Sequence, residues 1–300
     1  MSLPPEILLL VFSHHVENSY FRDPIPQSQV CKYWRTVALS SPLLWNTLII
    51  DPAPTMFDLT RTQLHLERSR AAPLSISICD AGVDYNVIQK APITQILKAL
   101  LSCAPRWRGI SLRLQPPAYH QLEQEITSRE YSGREGCTNL RTASISPYNS
   151  DSCAATIRRI WSFLFKSPCL EEACWGAGFE RARDIKFTSR PPLRRISFSV
   201  VADGEFLGIL ALLSTLEDVQ ISNYVMDGGI VLGEEQPVLH PRLRKLSITL
   251  AHDSSLLLSR LNLPSLSYLI IHHVTPVSCL PSAALKNFLL RSGCALYTFL

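Results

Sequence analysis

One short unit recurs along this 300-residue chain and restricts its fold more than any other feature: an apolar residue, two variable positions, then two apolar residues spaced one apart. It reads WRGISL at Trp107–Leu112, LRTASI at Leu140–Ile145, LEEACW at Leu170–Trp175 and LRRISF at Leu193–Phe198. It continues as LEDVQI at Leu216–Ile221, LRKLSI at Leu243–Ile248 and LSYLII at Leu266–Ile271, and Leu296–Phe299 opens like another copy. Alternating apolar positions are the signature of a strand with one buried face. Helical stretches are expected before most copies, at Thr94–Leu101, Ala155–Lys166, Gly204–Thr215, Asp253–Leu261 and Ser282–Ser292. One such unit cannot bury its apolar face alone, but stacked neighbours share a continuous core.

Unit starts at 170, 193, 216, 243 and 266 lie 23, 23, 27 and 23 residues apart, after longer steps of 33 and 30 from 107 through 140. The pattern resembles irregular leucine-rich repeats, whose period runs over roughly 20–29 residues. The turn asparagine of regular repeats is missing: Val201, Tyr224, Ala251 and Val274 stand in its place. A curve less regular than that of a regular repeat array is therefore expected. The chain ends on apolar Cys294–Leu300 rather than on a polar cap, so a truncated chain or an open, sticky end is expected. Upstream, Asp51–Thr55 reads as a break, Phe57–Arg68 as a helix, and Pro73–Asp80 as a strand alternating Leu74, Ile76 and Ile78 with serines.

The first fifty residues carry more apolar surface than so short a segment can hide. Six apolar side chains run consecutively from Ile7 to Phe12 after a Pro-Pro-Glu start, and Ser28–Ile50 adds two tryptophans and a second amphipathic run. A helix buried on one side places apolar residues at i, i+3, i+4 and i+7. Ile7–Phe12 covers more of the circumference than that, so a partner protein is the simplest cover for the remainder.

At these residues the chain resembles the F-box, the helical module by which substrate receptors dock on the Skp adaptor of cullin–RING ubiquitin ligases. The resemblance rests on Leu3-Pro4-Pro5-Glu6-Ile7-Leu8, Val11-Phe12, Val30-Cys31-Lys32-Tyr33-Trp34-Arg35 and Ser41-Pro42-Leu43-Leu44-Trp45. One departure is Phe21–Gln27, where Pro24 and Pro26 replace a helix rich in Leu and Asp and disfavour ordinary helix. Such a proline-containing spacer is similar to that of fungal F-box families. The resemblance implies adaptor contacts at Leu3, Pro4, Ile7, Leu8, Val30, Cys31, Val37, Pro42 and Leu44. Trp34 and Trp45 are the expected core fillers, and a purely intramolecular cap is the competing reading.

Composition agrees with a packed protein, at 46% apolar and 18% charged residues. A net charge of +4 without long basic runs argues against a nucleic-acid partner. No basic leader precedes the first apolar run, and Phe206–Leu213 is too short to span a bilayer. Nine cysteines form no CxxC, and no Asn-x-Ser/Thr acceptor occurs, which suits a reducing interior. Cytoplasm or nucleus is the expected location.

Catalytic motifs are absent: no GxSxG, GxxxxGK, GxGxxG after a strand, or HExxH occurs. His14-His15 and His272-His273 are adjacent pairs whose side chains diverge, so neither makes a metal site and no cofactor is expected. Glu171-Glu172 and Glu217-Asp218 occupy the variable positions of the unit, where the chain meets solvent. Outward positions of the strands instead supply a strip of small hydroxyls and scattered charges. Arg113, Arg195, Lys245, Tyr268 and His272 have the reach to anchor a protein target there.

The expected architecture is therefore α+β to α/β: an F-box-like helical module over residues 1–50, then an irregular leucine-rich-repeat solenoid over 51–300. The implied function is that of a non-catalytic substrate receptor, with the Skp adaptor and cullin core at one end and an unknown protein target on the repeats. The rivals are a repeat scaffold outside ubiquitin transfer and, more distantly, an enzyme without a familiar motif.

Overall fold

A computed structural model describes residues 3–18, 23–50, 56–80, 91–131, 136–148, 153–176, 192–225, 236–250, 255–273 and 282–299. The amino-terminal part is helical: α1 (Pro5–Asn18), α2 (Ile25–Gln29), α3 (Lys32–Leu39) and a 3-10 turn at Pro42–Trp45. Pro5 opens α1, where its missing N–H would have had no helical partner anyway. Leu8, Phe12 and Val16 are buried on one face of α1, and Leu8 and Phe12 close a small core with Val37, Ala38, Leu44 and Trp45. Trp34 packs on its edge, with its ring 5.0 Å from Phe12 in an edge-on contact.

The spacer was expected to avoid helix, and the structure corrects this with the five-residue α2. Pro24 takes the cap and Pro26 the first turn, the two places where a missing N–H costs no helical bond. Cys31 then caps α3, its Sγ accepting from the Trp34 amide at 3.5 Å.

From Thr47 onward strands and helices alternate: β1 (Thr47–Ile50), α4 (Met56–Arg68), β2 (Leu74–Cys79), α5 (Ala91–Ser102), β3 (Trp107–Arg113), α6 (Pro116–Tyr131), β4 (Thr142–Ile145) and α7 (Ala154–Leu164). Next come β5 (Glu172–Trp175), β6 (Arg195–Phe198), β7 (Val201–Ala202), α8 (Asp203–Leu212), β8 (Asp218–Val225), β9 (Val238–Leu239) and β10 (Lys245–Leu250). The described chain finishes with α9 (Ser255–Ser259), β11 (Leu261–Asn262), β12 (Tyr268–His273), α10 (Ser282–Ser292) and β13 (Thr298–Phe299). Eleven of these strands form one sheet in the order β1-β2-β3-β4-β5-β6-β8-β10-β12-β13, with β7 also on β8. Every pairing is parallel.

Each recurring unit lands on a strand, and the copies align. Ile110, Ala143, Ala173, Ile196, Val219, Leu246 and Leu269 stand opposite one another across the sheet. The second residue of each unit continues the ladder below the strands: Arg141 donates to the Arg108 carbonyl, Glu171 to Arg141, Arg194 to Glu171, Glu217 to Arg194, Arg244 to Glu217 and Ser267 to Arg244. The leading leucine of each unit is buried just before its strand, as at Leu140, Leu170, Leu193, Leu216 and Leu243. All these residues belong to one cluster with the inner faces of the helices, so the helices cover one side of the sheet. Where asparagines were missing, Val201 in β7 pairs with Tyr224 in β8 and both are buried, so a short extra strand pairing stands there. Ala251 and Val274 lie outside the described residues.

Two features escaped the sequence reading. Helix α6 fills the long step between β3 and β4, burying Ala118, Tyr119, Leu122 and Ile126 at helical spacing. The Tyr119 hydroxyl donates to the Leu112 carbonyl at 2.9 Å, and burial pushes its ionisation far up. The helical module also has no free edge toward the sheet: β1 starts two residues after the 3-10 turn, inside residues 1–50, and pairs with β2.

Candidate partner-docking surfaces

Helix α1 carries two apolar stripes. At roughly 100° per residue, Leu8, Phe12 and Val16 point into the core while Ile7, Leu10 and Val11, continued by Leu3, point to the opposite side. Leu10 is 67% exposed and Leu8 0%. Val30, at the α2–α3 junction, and Leu43, in the 3-10 turn, are likewise open at 60% and 68%. Isolated exposed leucines are ordinary on protein surfaces, but several on one short helix mark an unpartnered face.

The backbone under this face is braced. The Tyr33 hydroxyl donates to the Leu3 carbonyl at 2.7 Å and holds the start of the chain against α3. The Arg35 guanidinium donates to the Ser28 carbonyl at 2.9 Å, joining α3 to the end of α2. The Trp45 indole donates to the Ala38 carbonyl at 2.9 Å.

Of the residues expected to meet the adaptor, Leu3, Pro4, Ile7, Val30 and Cys31 are exposed and Pro42 is half-buried. Leu8, Val37 and Leu44 are instead buried in the module's own core. Leu10, Val11 and Leu43 are exposed apolar side chains that the expectation left out. For Leu10 and Val11 the signal was available, because positions three and four beyond Ile7 share its face.

The side of the sheet away from the helices carries the outward residues of the strands and an open groove of about 580 Å³. Its floor is made of Ser77, Ser111, Ser144, Cys174, Ser197 and Gln220, one per strand and aligned across the sheet. Gly109 keeps it low, since a Cβ there would sit 2.7 Å from Thr142 Oγ1.

The five candidate anchors differ in freedom. Arg195 lines the groove but is paired with Glu172, and Lys245 lies 3.6 Å from Asp218. Those four stand in one aligned row, of alternating sign, that ends on Tyr268. Arg113 sits at the end of β3 with its guanidinium 4.8 Å from the Tyr148 ring centre. Tyr268 and His272 are exposed on β12.

Among the described residues, no group of three or more His, Cys, Asp or Glu side chains is placed to hold a metal ion, and no helix is long and apolar enough to cross a membrane.

Residues 1–51 match the family model described as F-box-like, so an F-box-like domain occupies the helical module together with β1. No curated protein matches the chain.

Proposed function

We propose that this chain is the non-catalytic substrate receptor of a cullin–RING ubiquitin ligase, acting in the cytoplasm or nucleus. The observation that carries the reading is the second apolar stripe of α1, Leu3, Ile7, Leu10 and Val11, left open within the F-box-like domain. The Skp adaptor covers that stripe, and a few central apolar anchors supply most of the binding energy. The parallel sheet holds a target protein on its open face, so that target lysines stand near the charged conjugating enzyme. Rate then comes from effective concentration, and no side chain of this chain takes part in bond making.

The in-order parallel strands and the hydrogen-bond ladder beneath them support reading residues 51–300 as an irregular leucine-rich-repeat solenoid. The open groove on the sheet supports target binding there, with Arg195 on its lining and Arg113, Lys245, Tyr268 and His272 on strands of the same sheet beyond it.

Co-expression capture of the adaptor tests the docking step. Wild type is retained and Leu10→Asp is lost; capture that ignores the substitution overturns the reading. Ubiquitin transfer to a bound target in a reconstituted ligase then separates a receptor from a scaffold that docks without transfer.

A further inference from the structure

A buried set of charges lies where the helical module meets the first helix of the α/β region, and neither proposed docking surface uses it. Helix α4 belongs to both cores: Leu64 packs on the module, Leu59 and Leu66 on the sheet side. On α4, Arg61 and His65 are almost wholly buried. Both face Asp23, two residues before the start of α2. Asp23 Oδ1 lies 3.5 Å from His65 Nε2, and Asp23 Oδ2 lies 3.9 Å from Arg61 Nη1. Arg61 also meets Asp58 at 3.3 Å and donates to the Ile49 carbonyl in β1 at 2.5 Å. The His65 ring stands edge-on to Trp45, at 5.2 Å, and Arg68 lies 4.3 Å over the same indole.

We propose that Asp23 is a conformational latch: its carboxylate clamps the helical module onto α4 and fixes the angle between the α1 docking stripe and the sheet. The segment that departs from the F-box pattern is what makes the latch. Pro24 and Pro26 shape the start of α2, and the Asp23 carboxylate accepts the Ile25 N–H at 2.8 Å. That bond aims the second oxygen at α4 instead of leaving the side chain to rotate. A guanidinium out of water needs facing carboxylates, here Asp23 and Asp58, since an uncompensated buried cation is strongly unfavourable. The module and α4 are therefore held together by a contact that fails if they shift by a few ångströms.

The consequence for ligation rests on the receptor reading: a fixed angle confines target lysines to a small volume, and a loose one dilutes them. The latch itself is measured on the chain alone. Asp23→Asn removes the charge yet keeps a carbonyl for the Ile25 N–H. Hydrogen exchange on the purified chain should show the amides of α4 and the Pro42–Trp45 turn exchanging at least tenfold faster, with α1 and β3 to β10 unchanged. His65→Gln should give the same local pattern, and the double variant should be no faster than the quicker single one. Unchanged α4 protection, a loss spread equally over α1 and the sheet, or additive effects in the double variant each overturn the latch. Failure of wild-type adaptor capture instead sinks the receptor reading and leaves the α4 result standing.

Discussion

Ile7 and Leu8 are neighbours in α1 with opposite environments: Leu8 is enclosed with Phe12, Val37 and Trp45, and Ile7 opens to solvent beside Leu10 and Val11. Substitutions along this helix therefore separate folding from docking. Leu8→Asp buries an unpaired carboxylate and should destabilise the module by about 3–5 kcal/mol. Leu10→Asp should leave stability within about 0.5 kcal/mol while weakening adaptor capture at least tenfold, about 1.4 kcal/mol. Urea unfolding and a titrated pull-down on the same two variants read both quantities.

Trp175 is the centre of an aromatic stack in the sheet core. Its ring lies 3.9 Å from Trp161, 5.3 Å from Phe165 and 5.6 Å from Phe198. The four-residue strands here offer few aliphatic positions, so flat rings fill the layer between sheet and α7. Trp175→Ala should cost about 3–5 kcal/mol through lost burial and the cavity left behind. The urea midpoint should drop with little change in slope.

Gly176 follows β5 where the neighbouring strand presses closest. A Cβ there would approach the Ser146 Cα to 2.5 Å, and the Gly176 amide donates to the Ile145 carbonyl at 2.7 Å. Gly176→Ala must therefore push β4 and β5 apart, and about 1–3 kcal/mol of stability should be lost. An unchanged thermal midpoint would contradict the close approach.

Acid should weaken the fold through two carboxylates. Burial alone would raise the Asp23 carboxyl, but the His65 ring, the Ile25 N–H and Arg61 more than offset it and hold it below its ordinary range. Glu123 follows the same balance, with burial outweighed by Thr156, Arg159 and His120. A carboxyl lowered on folding stabilises fully above its unfolded pKa, about 4, and loses that stabilisation as pH falls through the folded value. These two groups should therefore add nothing to the pH dependence between about 7 and 5, and stability should fall below about pH 4. In Asp23→Asn the acid-side loss should be smaller when urea midpoints are compared across that range.

The row Glu172–Arg195–Asp218–Lys245 reaches solvent at every member, so each pair is worth no more than about 1 kcal/mol. Glu172→Gln should scarcely move the thermal midpoint, and 0.5 M salt should shrink even that difference.

The strands were legible because the unit is local: its leucine and two alternate apolar residues mark each strand within six positions, from Leu140–Ile145 to Leu266–Ile271. Helix α6 carried a signal of its own in Ala118, Tyr119, Leu122 and Ile126, behind a double-proline start like that of α1. The docking stripe was half legible. An excess of apolar residues in Ile7–Phe12 pointed to a second apolar face, but Leu8 and Ile7 are chemically alike, and only the packing of α1 decides which of them is enclosed.

Periodicity and composition were enough to establish a helical module followed by repeating strands and helices, because both depend on spacing along the chain. Which apolar residues close the core and which remain for a partner was decided only when α1, α3 and Trp45 met, since burial is a property of the assembled neighbours. The Asp23–His65–Arg61 cluster belongs to the same class: Asp23 lies about forty residues from Arg61 and His65 in sequence, and only the packing of α4 against the module brings these side chains together.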